Sequence, residues 1–187
     1  MKRFVNEEGL TLIELLTALT IASLIFASAY GVFLSGIKAY KRIGIENQLR
    51  SEADYVIATI MNELYRFAPD GIDTASSTNE RITFIKNKQK VIDPDIGLVE
   101  EKKVNEQTLT IELQNETILM NGESLNSDNL KIVPEKSSLS YDCVRKEGTV
   151  CRSGIVTIVL SVQDRDHDSE DDLLYIEPFS LKTEFGF

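Results

Sequence analysis

The sequence predicts an α+β protein, with one long N-terminal α-helix packed on a C-terminal antiparallel β-sheet domain. Three observations carry this. An apolar run fills residues 10–37. Apolar residues then recur at spacings of three and four to about residue 68, which is one face of a helix. Beyond residue 80 the pattern shifts toward alternation, the period of a half-buried strand. The chain has 187 residues, so roughly 120 remain after such a helix, enough for one modest domain. The organisation reads as a polar leader (1–9), a membrane-grade helix (10–37), an amphipathic continuation (38–68) and a β-rich domain (69–187).

Composition removes several function classes. The formal net charge is −10, which argues against a surface built to bind phosphates, so no direct nucleic-acid binding is expected. There is one histidine, His167, and no tryptophan. Carboxylates are abundant, but no Ser-His-Asp set, metal cluster or phosphate loop stands at a recognisable spacing. An enzyme is not expected, and no residue is assigned a catalytic role.

The leader, Met1 to Gly9, is polar and carries Lys2 and Arg3. A secretory signal would be cut after its apolar core. Here the small residue, Gly9, comes before it, so cleavage there would leave the apolar segment at the new N-terminus. Residues 10–37 are long enough to span a bilayer, which takes about 20 apolar residues. Glu14 is the one formal charge among them. A carboxylate in a membrane helix costs roughly 2.5–3.5 kcal/mol at the bilayer centre and less near the interface, so it calls for a partner. Small residues such as Ala18, Ala22, Ser28 and Gly31 recur and would let helices approach closely. Basic residues stand on both sides, Lys2 and Arg3 before and Lys38, Lys41 and Arg42 after. Charge alone therefore leaves the orientation open.

The ordered run Gly9-Leu10-Thr11-Leu12-Ile13-Glu14, continued by Leu15-Leu16, resembles the type IV prepilin signature. The likeness covers the leader and first helix, about a fifth of the chain. It implies cleavage between Gly9 and Leu10 by a prepilin peptidase, with N-methylation of Leu10. It also implies that Glu14 pairs with the N-terminal amine of a neighbouring subunit during filament assembly. The implied partners are other pilin or pseudopilin subunits, the peptidase that also methylates, and membrane lipid before assembly. The implied location is the cell membrane, single-pass, with the C-terminal domain outside the cytoplasm, leading to a cell-surface or periplasmic filament. The implied function is structural: a minor pilin or pseudopilin serving DNA uptake, protein secretion or adhesion. The implied fold is the same long helix on an antiparallel sheet. Where major pilins often carry a proline, this chain has Gly31. The alternative is a single-pass receptor or adhesin that keeps Met1 and never polymerises.

From Lys38 the helix has no stop signal. Leu49, Ala53, Val56, Ile57, Ile60, Met61 and Leu64 share a face, with Arg50, Glu52, Asp54 and Glu63 between them. Gly44 is a weak point where a bend is expected, and Pro69 and Gly71 are the expected stop. Residues 70–80 read as a loop. Strands are expected at 81–86, 108–113, 117–120, 130–133, 138–144, 154–163 and 173–185. Turns are expected at Gln114-Asn115-Glu116 and at Asn121-Gly122, the strongest short hairpin signal. The charged stretch 86–106 stays unassigned. The final two strands, with an acidic connection, are loosely similar to the end of minor pilins and pseudopilins.

Cys143 and Cys151 flank a short segment in which Gly148 permits a turn, so the thiols can face each other. A disulfide is expected if the domain lies outside the cytoplasm, and free thiols if it lies inside. Two thiols without a nearby His or second pair make a poor zinc site. Asp164, Asp166 and Asp168 have the alternate spacing that can aim carboxylates at calcium, the one metal the sequence suggests. Ser169 stands where an EF-hand loop has glycine, however, and Tyr175 where it has its closing Glu. A solvated hairpin tip is the plainer reading, and no other cofactor is expected.

Overall fold

The computed structural model describes residues 11–92 and 99–187. It opens with a single helix, α1 (Leu12–Phe67), and continues into nine strands. These are β1 (Gly71–Asp73), β2 (Arg81–Ile92), β3 (Val99–Gln114), β4 (Thr117–Met120), β5 (Glu123–Ser124), β6 (Leu130–Ile132), β7 (Ser138–Glu147), β8 (Val150–Asp164) and β9 (Phe179–Gly186). The chain divides into two compact units between Gly44 and Ile45.

The first unit contains α1 up to Gly44. Its large apolar side chains, among them Leu12, Leu19, Leu24, Phe26 and Phe33, are exposed. The helix has the length and apolar content to cross a membrane. Hydroxyls that would be costly in an apolar medium are satisfied locally. Thr17, Thr20, Ser23 and Ser28 each donate to a carbonyl three or four residues back.

The second unit begins at Ile45. Here α1 buries Leu49, Ala53, Val56, Ile60 and Leu64, the stripe expected from the sequence, against the sheet. The helix passes through Gly44 unbroken. Its end is set by Ala68, in the left-handed region at φ 48°, whose N–H bonds the Leu64 carbonyl, and by Pro69, which cannot continue the helix. Gly71 has another task than the expected stop. It opens β1, and a Cβ there would lie 2.4 Å from the Cys151 carbonyl oxygen, so only glycine lets β1 approach β8 this closely.

All strand pairs are antiparallel, in the order β5-β4-β3-β2-β1-β8-β6, with β7 and β9 also paired to β8. The long strand β8 is the hub. Val156, Ile158, Leu160 and Val162 alternate along it and are fully buried, facing the α1 stripe with Phe84, Ile111 and Leu139. Phe84 is flanked by Phe185 and Phe187, with ring centroids 6.1 and 6.5 Å away. The Arg50 guanidinium lies 5.0 Å over the Phe179 ring, which adds a cation–π contact between α1 and β9.

Both expected hairpin turns form. Asn115 and Glu116 (φ 47° and 66°) join β3 to β4, and Asn121 and Gly122 (φ 52° and 87°) join β4 to β5, the positive-φ pairs that two-residue hairpins require. Three expectations change. Residues 70–80 include β1, too short to show a period. In the unassigned 86–106 stretch, 86–92 and 99–106 supply the outer halves of β2 and β3, and 93–98 lie outside the described residues. The last strand begins at Phe179 instead of Leu173. Pro178 offers no N–H to a ladder, and Ile176 instead folds in, fully buried, with its N–H on the His167 carbonyl.

Candidate functional site

The first candidate is the start of α1. Gly9 and Leu10 lie outside the described residues. Thr11 is the residue just before the helix, and its carbonyl takes the first intrahelical bond, from the Leu15 N–H at 3.2 Å. The Thr11 N–H and hydroxyl both donate to Oε2 of Glu14, at 2.9 and 2.8 Å. The Glu14 N–H reaches back to the Thr11 hydroxyl at 3.4 Å. This reciprocal arrangement is a capping box, which satisfies backbone donors that a helix start otherwise leaves orphaned. The carboxylate also sits where the helix dipole favours negative charge. Both Thr11 donors converge on Oε2, and Oε1 has no donor among the described residues. Sequence reasoning treated Glu14 as a charge in search of an intermolecular partner and missed Thr11. The signal was present, since Thr-x-x-Glu before an apolar run is the capping-box pattern.

The second is the disulfide. Cys143 and Cys151 are bonded, with an S–S distance of 2.01 Å and Cα atoms 5.8 Å apart. They link β7 and β8 near the hairpin turn, where Gly148 has φ 63°. Cys151 is fully buried in the core. β7 has register shifts on either side of Arg145, directly after Cys143, so the bond staples a stretch where ladder pairing is irregular.

The third is the acidic run. Asp164, Asp166 and Asp168 do not converge. Asp164 Oδ1 accepts the Asp166 N–H at 3.1 Å and lies 2.6 Å from His167 Nδ1. Asp168 Oδ2 pairs with Lys131 Nζ at 3.0 Å, and Lys131 also reaches Glu116 at 3.2 Å. The hydrogen bond from Lys131 holds the Asp168 carboxyl below the usual carboxylate range. The same bond to Asp168, then the one to Glu116, raises the Lys131 amine. Among the described residues no group of three or more His, Cys, Asp or Glu side chains is placed to hold a metal ion. The three carboxylates expected to face calcium are thus not brought together in this structure. Alternate spacing aims carboxylates together only if the loop curls around a centre, and here a lysine from β6 takes Asp168 outward.

A fourth feature was not legible in the sequence. Past Ile85 and Leu109, β2 and β3 leave the sheet as a two-stranded arm, and its root is tied on several sides. Asp70 Oδ2 accepts the N–H groups of Asn87 and Lys88, at 2.8 and 2.6 Å, where the ladder shifts register. Lys86 Nζ donates to the Phe67 carbonyl at the end of α1, at 2.8 Å. Arg152, beside the disulfide, donates to Asn87 Oδ1 and pairs with Glu147, both at 3.1 Å.

No protein-family model, curated protein or solved structure matches the chain.

Proposed function

We propose that this chain is a structural subunit of a type IV pilus-like filament, a minor pilin or pseudopilin, cut between Gly9 and Leu10 and methylated on Leu10. The observation that carries the reading is the ordered Gly9–Glu14 motif at the head of an apolar helix that buries nothing in its own unit. The apolar side chains of residues 12–44 need lipid before assembly and neighbouring helices after it. Cleavage would place the Leu10 amine directly before the Thr11–Glu14 capping box.

Glu14 then has two uses. Oε2 keeps its own helix start capped, and Oε1 accepts the cationic amine of a neighbouring subunit. In apolar surroundings a charge left without a partner costs several kcal/mol, so this pair would set the stagger between subunits. In this reading the C-terminal domain lies outside the cytoplasm, which agrees with a disulfide of the kind that persists in oxidising compartments. Its partners are other subunits and the processing peptidase, and no catalysis is assigned to it. The acidic balance disfavours direct DNA contact and leaves secretion, adhesion or an indirect part in DNA uptake.

Mass spectrometry of the cell-derived protein tests the reading. A methylated Leu10 as first residue is the expected result. Gly9→Ala should leave the full-length precursor, and Glu14→Ala should be cut but poorly incorporated into filaments. An intact Met1 in the wild-type protein would overturn the filament subunit in favour of a membrane-anchored receptor or adhesin.

A further inference from the structure

β9 pairs with β8 and with no other described strand. Phe187 and Gly154 exchange both backbone bonds, at 3.2 and 3.3 Å. In an antiparallel ladder such bonded pairs recur at every second residue. Phe179, Leu181, Thr183 and Phe185 therefore bond inward to β8. The N–H and C=O groups of Ser180, Lys182, Glu184 and Gly186 point outward, and no partner meets them among the described residues. Natural sheets blunt such edges with short strands, bulges, proline or lysine. The other free edges among the described strands are blunted in these ways. β5 and β6 have two and three residues. β7 shifts register around Arg145. The arm of β2 and β3 carries Lys86, Lys88, Lys90, Lys102 and Lys103. β9 instead makes eight consecutive pairs without a register shift and contains no proline. Its one lysine, Lys182, is held by Glu184 of the same strand at 2.6 Å.

The apolar face of β9 is also unfinished. Val156, Ile158, Leu160 and Val162 of β8 are fully buried. Their direct partners across the ladder, Phe185, Thr183, Leu181 and Phe179, are only half-buried. Over this stretch β8 has a strand on both sides and β9 on one. A flank of α1 runs beside the half-buried row. Arg50 lies over Phe179, and Met61 and Phe185 share the wall of an apolar cavity of about 160 Å³. Ile57, between Arg50 and Met61 on that flank, is half-buried against the core. Tyr65, Pro69 and Phe187 also line the cavity, which is large enough for one apolar side chain. These contacts show that α1 and β9 run in the same direction.

We propose that β9 receives an extended strand of a different protein, antiparallel to it, with apolar residues at alternate positions and one of them in the cavity beside Met61. Strand addition takes its affinity from main-chain bonds and its selectivity from side-chain pockets, and β9 offers both. A second copy does not fit the edge. Every described pair in this sheet is antiparallel. Antiparallel pairing of β9 with another β9 would set the two α1 helices in opposite directions, whereas two chains anchored in one membrane point the same way. The remaining free edges of a second copy are the blunted ones. The docking does not depend on cleavage after Gly9, since it uses the β-rich domain and the part of α1 packed on it.

The test reads amide hydrogen exchange along β9, residue by residue, by mass spectrometry. It compares the full-length chain in its native membranes with the same chain alone in phosphatidylethanolamine and phosphatidylglycerol vesicles. In native membranes the amides of Ser180, Lys182, Glu184 and Gly186 should exchange roughly tenfold or more slowly than in the vesicles. Those of Leu181, Thr183 and Phe185, already bonded to β8, should be unchanged. Lys182→Pro removes one outward N–H and no bond to β8, a change that edge strands tolerate. It should abolish the protection at the other three amides, whereas Lys182→Thr should keep it. Glu184→Pro is a second variant of the same kind, and slow exchange at Leu181 and Phe185 reports that either variant has folded. Equal exchange of the outward amides in the two settings would overturn the proposal. So would slowing of all β9 amides alike, which marks a covered face without strand pairing. Protection already present in the vesicles would overturn it too, because a second copy would then be the occupant.

Discussion

The two parts of α1 are built to opposite specifications. From Leu12 to Gly44 the helix exposes its large apolar side chains and closes several polar groups on itself, among them the Thr11–Glu14 box and the hydroxyls of Thr17 and Ser23. From Ile45 to Phe67 the same helix buries one stripe and exposes charges such as Arg50 and Asp54. The first part leaves its large apolar side chains uncovered among the described residues, and the second packs its stripe into the core. Helical geometry is common to both, so what differs is the solvent each is written for.

The largest expected contrast comes from truncating one apolar side chain in each unit. Phe84→Ala, which removes a fully buried ring packed on Phe185 and Phe187, should cost about 3–5 kcal/mol in chemical denaturation of the domain. Leu24→Ala, at a position 72% exposed, should change the same measurement by under about 0.5 kcal/mol. Equal effects would mean that residues 12–44 contribute to the domain core and that the contrast is wrong.

A smaller effect confined to the second unit should follow reduction of Cys143–Cys151, or the Cys143→Ser, Cys151→Ser pair. The loop-entropy estimate gives about 2–3 kcal/mol for so short a loop, read as a lower melting temperature. A second readout is faster hydrogen exchange at the arm root, because Arg152 adjoins the staple and braces Asn87. Unchanged exchange at Asn87 and Lys88 would separate the arm from the disulfide.

The smallest is electrostatic. The Asp168 carboxyl is lowered by its bond from Lys131, so its contribution is full above the ordinary carboxylate range and is lost as pH falls through the lowered value. The Lys131 amine is raised by Asp168 and Glu116, so its contribution is full below the ordinary ammonium range and is lost as pH rises through the raised value. Asp168→Asn should therefore flatten the acid limb of the stability profile and trim the alkaline one. The effect should shrink in high salt, since both groups are partly solvated. An unchanged profile would leave the acidic end held by backbone bonds alone.

Legibility followed periodicity and local chemistry. The α1 stripe, the Asn115-Glu116 and Asn121-Gly122 turns and the Cys143–Cys151 bond were readable because each depends on residues close in sequence. The arm was not, because a ribbon with two solvent-facing sides has no apolar alternation to reveal it. β1 was hidden by its length, and its glycine makes sense only once β8 lies against it. The extent of the last strand was overread, because an apolar residue such as Ile176 signals burial equally well in a loop.

By itself the sequence determined the helix, its change of character after residue 37 and the β-rich class of the domain. These follow from side-chain spacing and from groups within a turn of one another. Tertiary structure alone decided that Lys131 takes Asp168 away from Asp164 and that Asp70 and Arg152 hold the root of the arm. These pairings join residues from 17 to 65 positions apart, and their energies depend on distances that exist only once the sheet has set its register.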